Sequence, residues 1–409
     1  MNPPPATTEG VGRKSSPTTV ILHGRRLFFA RAAWVALATL SFGLVAASLP
    51  AAYEQLSTVC EGWRGWCDYA RLLPEEAGAL ERVGLSVGFY PAYKVAFSIV
   101  LVLGYWSIGA ILFWKRPDNG AVLLASVMLV TFGTVQADTL QWLADAYPAW
   151  ALPVRLMYFV AEASLTVFFC VFPDGRFVPR WTRWVAVASI TYWLLDSFFP
   201  NSLVSPTNWP LVISAPLLLG LIGSLVVAQI YRYRRVSGPV ERQHTKWVFF
   251  GFTATIVMFL VATLIGFALP KLGIPQVFYD LVSTPVFVLS TFLIPLSIGF
   301  AMLGFPALVI RTVVYSSLIS VVGAVYTLTD LLLVPLLAQS TLGEKDRSLT
   351  AFFSVVIIVV LFKPLRSRIE AGVNRLGDWL GSGDEASSFI SPPPHRDEPS
   401  PFIRPPSDR

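Results

Sequence analysis

Charge is scarce in this chain: Asp, Glu, Lys and Arg supply 14% of its 409 residues, against about 25% in soluble domains. That shortage, with 54% hydrophobic residues and a mean hydropathy of +0.61, excludes an ordinary water-soluble protein. Histidine is scarcer still. The three histidines, His23, His244 and His395, sit apart in a tail, a basic loop and a Pro-rich segment, none beside a cysteine or a second histidine, so the sequence offers no metal-ligand cluster. No G-x-x-x-x-G-K-[ST] or H-E-x-x-H motif occurs, which leaves phosphate-loop and zinc-peptidase chemistry without a signature. The chain is therefore read as non-enzymatic, with no metal and no cofactor.

A net charge of +6 would suit nucleic acid, but the Lys and Arg fall in short loops and tails and form no continuous face. They read as topology determinants of a membrane protein, and no nucleic-acid partner is expected. Cysteine is also rare, at three residues. Cys60 and Cys67 flank Trp63 and Trp66 in a loop read as extracytoplasmic, where an oxidising compartment favours a disulfide between them. A metal site is the rival reading, and it lacks a nearby histidine. Cys170 lies inside an apolar run.

Long apolar runs are what the chain has in abundance. They are organised around Leu225 to Gly251, where one run ends in Tyr231, Arg232, Tyr233, Arg234 and Arg235, a Ser-Gly-Pro turn follows, and Arg242 and Lys246 precede a new run at Trp247. Basic residues near helix ends stay cytoplasmic and aromatic rings favour the headgroup layer, so this loop orients the spans on either side. Counting outward gives ten: Leu27 to Leu49, Tyr93 to Trp114, Ala121 to Val135, Pro153 to Phe172, Trp181 to Phe199, Leu211 to Ile230, Trp247 to Leu269, Leu281 to Leu303, Val313 to Ala338 and Leu349 to Phe362. Both termini are then cytoplasmic. The spans near 181–199 and 349–362 are short for a hydrocarbon core that needs about 20 helical residues.

The expected fold is an all-α polytopic membrane protein in four parts. Residues 1–24 form a disordered cytoplasmic tail, and 25–362 form the transmembrane domain, with a small extracytoplasmic cap over 51–88 that includes a helix starting at Leu73-Pro74-Glu75-Glu76. Residues 363–380 carry Leu365, Ile369, Val373, Leu376 and Leu380 at helical spacing, a cytoplasmic amphipathic stalk suited to a second copy, another protein or the headgroup layer. Residues 381–409 form a Pro-rich disordered tail.

Charged residues inside the apolar runs are the candidate site, since burying each costs at least ~2.5 kcal/mol on insertion scales. Glu162 lies in mid-span, with Arg155 seven residues earlier; Asp330 lies deep in the ninth span and Asp196 near the outer end of the fifth. Two readings compete: an aqueous cavity that binds a polar ligand or a proton, or structural pairing between helices. The second is favoured for Arg155 and Asp196, which lie near an interface.

Three stretches carry a family resemblance. They are the Cys60 to Cys67 loop continuing into Leu73-Pro74-Glu75-Glu76-Ala77 and Gly84-Leu85-Ser86; Phe172-Pro173-Asp174-Gly175-Arg176-Phe177-Val178-Pro179-Arg180-Trp181; and Glu241-Arg242-Gln243-His244-Thr245-Lys246-Trp247 with Gly251. Together they resemble the membrane-integral input region of bacterial multi-pass sensor histidine kinases of the competence and quorum-sensing receptor type, over about residues 27–378. Two departures accompany the resemblance. Gly304-Phe305-Pro306-Ala307-Leu308 stands where such proteins carry an Arg-Tyr-Arg-rich acidic segment, and no phospho-accepting His on a dimerisation helix or ATP-binding region follows the stalk.

The resemblance implies a sensor module in a bacterial plasma membrane, signalling to a separate histidine kinase or regulator, with homodimerisation through the stalk as a further expectation. The basic loops around Asp174, Arg176, Arg180, Arg232, Arg234, Arg235, Arg242 and Lys246 are its expected cytoplasmic signalling and topology elements. A small-solute transporter using the buried carboxylates is the alternative. Against it, the sequence has no internal repeat and no matched pair of Gly/Pro-broken spans.

Overall fold

The computed structural model describes residues 22–61, 71–82, 84–173, 175–200, 202–236, 238–268 and 275–303. Every regular element among them is helical. The main helices are α1 (Gly24–Ser57), α2 (Pro74–Arg82), α3 (Phe89–Lys115), α4 (Gly120–Val135), α5 (Thr139–Ala146), α6 (Ala151–Val171), α7 (Thr182–Phe198), α8 (Leu211–Arg235), α9 (Pro239–Ala268), α10 (Gln276–Thr291) and α11 (Leu293–Leu303).

Six helical segments among the described residues are long and apolar enough to cross a membrane, and a seventh arises if α4 and α5, bent by 62°, count as one broken span. The described residues thus form an all-helical fold with apolar helices of the kind that span a membrane. At 17 residues α7 covers the stretch expected as a short span at 181–199 and is not among those six. The expected spans Val313 to Ala338 and Leu349 to Phe362, the stalk, the C-terminal tail and residues 1–21 of the N-terminal one lie outside the described residues, while Gly24, placed in that tail, begins α1.

Local chemistry sets the ends. Asn119 caps α4, its side chain accepting from the Ala121 and Val122 amides at 3.0 and 3.3 Å, the usual work of an Asn before the first turn. Pro74 opens α2, and Glu76 Oε2 accepts from the Leu73 amide at 2.9 Å.

Boundaries differ from the sequence reading most at two places. α1 does not stop at Leu49 but continues through Pro50 to Ser57, because Ala51, Ala52 and Leu56 are buried and tertiary packing outweighs the hydrogen bond that proline removes. The 51–88 cap is smaller to that extent. The organising loop shrinks more. α8 runs on to Arg235 and α9 begins at Pro239, so Arg232, Arg234, Arg235, Arg242 and Lys246 are helical. Basic residues in the last turn of α8 favour its extension by complementing the helix dipole, and proline suits the first position of α9.

The described helices form a bundle with two distinct ends. One end gathers the start of α1, the α3–α4 turn, the 172–181 loop and the α8–α9 junction, and there the Leu22 amide donates to the Asp118 carbonyl at 2.8 Å. The other gathers the end of α1, α2, the α4–α5 break, and the starts of α3 and α10. The largest apolar cluster lies between them, with Tyr105, Met128, Phe168, Phe172, Trp247 and Ile298 at its centre. Tyr105 is fully buried and donates its hydroxyl to the Thr291 carbonyl at 2.9 Å, joining α3 to α10.

Candidate functional site

A cavity of about 880 Å³ lies among α1, α3, the α4–α5 break, α9 and α10. Its wall is divided along the bundle axis. Lys94, Asp138, Gln141, Asp145, Ser283 and Thr284 line the part near the α4–α5 break, and Phe97, Leu101, Phe132, Phe252, Phe287 and Ile294 line the deeper part. The drop from Lys94 to Leu101 along α3 is about 10 Å at a rise of ~1.5 Å per residue. Hydroxyls in the deeper part are occupied within the protein: Thr255 donates to the Gly251 and Ser290 carbonyls at 2.9 and 2.7 Å, and Ser290 to the Phe287 carbonyl at 2.9 Å. The deep part is therefore apolar in effect.

Lys94 reaches the rim from the first turns of α3. Its Nζ donates to Thr284 Oγ1 at 3.1 Å and sits 5.9 Å from the Tyr90 ring centroid, and its charge acts on Asp138. Asp138 occupies the break itself. It has φ +60°, the single positive φ at a non-glycine position among the described residues. At the N-cap of α5 its side chain makes no capping bond, and the residue is exposed at the cavity rim. Thr139 beside it accepts from Ser48 at 2.8 Å and ties the break to α1.

Left-handed backbone costs an L-residue about 1–2 kcal/mol, least for Asp, Asn and Gly. Asp138→Gly is therefore expected to fold as stably as the parent chain and Asp138→Val to lose about 1–2 kcal/mol. Thermal unfolding of the two variants in one detergent checks this; equal midpoints would show that the break does not hold the residue left-handed.

The residues singled out in the sequence are dispersed. Glu162 is half-buried on α6 and is not part of the cavity wall. Arg155 is half-buried on the same helix, away from the cavity wall. Asp196 accepts from Ser205 at 2.9 Å and Thr207 at 2.5 Å, which pins the turn after α7 and gives the carboxylate a structural role. Asp330 lies outside the described residues. Cys60 is disulfide-bonded and Cys170 is free and buried, while Cys67 lies outside the described residues.

At the opposite end Arg232 is 2% exposed. Its two terminal nitrogens donate to the carbonyls of Phe172 and Arg176, and the neighbouring Gln229 donates to the carbonyls of Phe169 and Phe172. Arg176, Arg180, Arg234 and Arg235 are exposed, as is Arg242, which lies 5.9 Å from the Tyr233 ring centroid. Lys246 is half-buried. Asp174 lies outside the described residues.

Lys94, Asp138 and Thr284 were not singled out by the sequence. The available signal was weak: a lysine within the first turns of a span, and an acid before a short amphipathic helix. One G-x-S-x-G pattern also escaped the sequence reading, at Gly84-Leu85-Ser86-Val87-Gly88. A nucleophile elbow sits between a strand and a helix, whereas this pattern links α2 to α3, and the Ser86 carbonyl accepts from the Phe89 amide at 3.0 Å to start α3. Among the described residues no group of three or more His, Cys, Asp and Glu is arranged to hold a metal ion. Comparison with known proteins finds no matching family model, no similar curated protein and no similar solved structure.

Proposed function

We propose that this chain is a non-enzymatic sensor of a bacterial cytoplasmic membrane, with ten spans, both termini cytoplasmic, and the cavity as its stimulus site. The observation that carries this reading is the course of α9. One uninterrupted helix bears Arg242 to Lys246 at the basic end and lines the cavity from Phe252 to Thr263. Arg242 and Thr263 are about 30 Å apart along it, so a ligand that shifts α9 at one end moves the basic surface at the other. Such a ligand acts only by binding two arrangements of α9 with different affinity. The sequence resemblance to sensor-kinase input regions points the same way and supplies the expected partner, a separate kinase or regulator reached through residues 363–380.

A photoreactive residue at Trp379, with captured proteins identified by mass spectrometry, tests the reading. Reproducible capture of a kinase or response regulator is expected. Capture of lipid alone would leave the stalk without an output and sink the sensor assignment.

The transporter reading is favoured by one feature, the 62° break between α4 and α5 beside the cavity, since broken helices frame many transport sites. Solute uptake by reconstituted vesicles would decide for it.

A further inference from the structure

The geometry points to a zwitterionic single-chain lipid, drawn from the surrounding bilayer, as the occupant of the cavity. This names the stimulus class for the sensor reading and rests on that reading for its consequence, although binding itself is measured without any signalling output.

The cavity is amphipathic in the way such a molecule is. Its deep part presents phenyl and aliphatic groups with the local hydroxyls already bonded, and its rim carries one ammonium, Lys94, and two carboxylates, Asp138 and Asp145. A purely anionic head group would meet both carboxylates, and a purely cationic one would meet Lys94. Only a head group with both charges complements both, its anionic part at Lys94 and its cationic part at Asp138. The volume falls within the ~300–1,000 Å³ of small-molecule sites, which favours one chain over two.

The route of entry is also present. Ile256 and Phe259 line the cavity and are 56% and 54% exposed, on one stretch of α9. There they join Leu260 and Leu264 in an apolar face of the kind that meets lipid tails. An alkyl chain that arrives along this exposed apolar stretch would reach the cavity without crossing water.

The test uses the full chain in nanodiscs and a lysophosphatidylcholine with a photoreactive group in its single chain. Labelling is expected on α3, α9 and α10, saturable and competed by unlabelled lysophosphatidylcholine, but not by glycerophosphocholine or a fatty acid of equal length. Lys94→Met and Asp138→Asn are each expected to weaken competition at least tenfold, and Thr284→Val, a smaller change that leaves both charges in place, severalfold. Thermal midpoints of the variants separate loss of binding from loss of fold. Labelling that is unchanged in the folded variants, or that is equally strong on the lipid-facing surface of α8, would identify boundary lipid and overturn the proposal. Equal competition by the fatty acid would overturn the zwitterion. Site-specific labelling together with no partner capture at Trp379 would leave the ligand class standing and remove the sensor reading; partner capture without such labelling would do the reverse.

Discussion

Arg232→Met is expected to lower stability by about 3–5 kcal/mol, because two hydrogen bonds from a buried charged donor, worth ~1.5–3 kcal/mol each, are lost together. The position of the residue on α8 makes the effect large. This helix is strongly apolar and few of its residues are buried, so most of its surface faces away from the described bundle. Its buried residues are Ala228, Gln229 and Arg232. The guanidinium bridges the Phe172 and Arg176 carbonyls, holding α8 to the loop that follows α6.

Methionine fills much of the same volume but leaves the Arg176 carbonyl without that donor, whereas Phe172 retains Gln229. Arg232→Lys keeps a charge but not the planar fork that spans two acceptors, and should recover less than half of the loss. Thermal unfolding in a single detergent, with limited proteolysis between residues 172 and 181, measures both variants. A midpoint for Arg232→Met within a degree of the parent, with the loop still protected, would show that α8 is held by something else.

This residue also shows what a sequence conveys. The helices were legible because each apolar run is long, and a bilayer leaves the backbone of a run no alternative to a helix. The basic character of the α8–α9 region was legible too, as a topology signal. That signal treats Arg232, Arg234, Arg235 and Arg242 alike, and nothing in it separates buried Arg232 from exposed Arg234 and Arg235. The difference is made by which face of α8 meets the 172–181 loop, a contact across 60 residues of chain. The hint lay in Gln229 and Arg232, polar residues one turn apart on one face.

The candidate site was less legible for a related reason. A charge in mid-span announces a burial cost, and Glu162 met that test, but cost does not reveal a cavity. Lys94 and Thr284 stand 190 residues apart in sequence; Lys94 lies near the start of α3, where charge is unremarkable, and Thr284 is a hydroxyl residue in the middle of α10. Asp138 fell between the expected spans Ala121 to Val135 and Pro153 to Phe172, outside every apolar run. Its role depends on a 62° turn that periodicity does not encode, since Gln136, Ala137 and Asp138 contain no glycine or proline to mark it.

Gly251→Leu is expected to abolish assembly of the folded bundle, and Gly251→Ala to cost about 1–3 kcal/mol, the usual range for overpacking. A Cβ at this position would collide with Ser297 Oγ and lie 2.6 Å from the Leu293 carbonyl oxygen. The hydroxyl can rotate away, but a backbone oxygen inside α11 cannot, so α9 must retreat from α11. Two neighbours of Gly251 then move with it. Phe252 forms part of the cavity wall, and Thr255 holds the Ser290 carbonyl at 2.7 Å.

The alanine variant should therefore lose lipid labelling along with stability, whereas a stability defect elsewhere in the bundle would leave the labelling pattern intact. Pairing Gly251→Ala with Ser297→Gly removes the side-chain collision and keeps the carbonyl one, so only partial recovery is expected. Full recovery would place the whole constraint on the serine, and a Gly251→Ala chain as stable as the parent would mean that α9 and α11 separate at no cost. In that case α9 would not be clamped at its middle, and the lever from cavity to basic surface would lose its fulcrum.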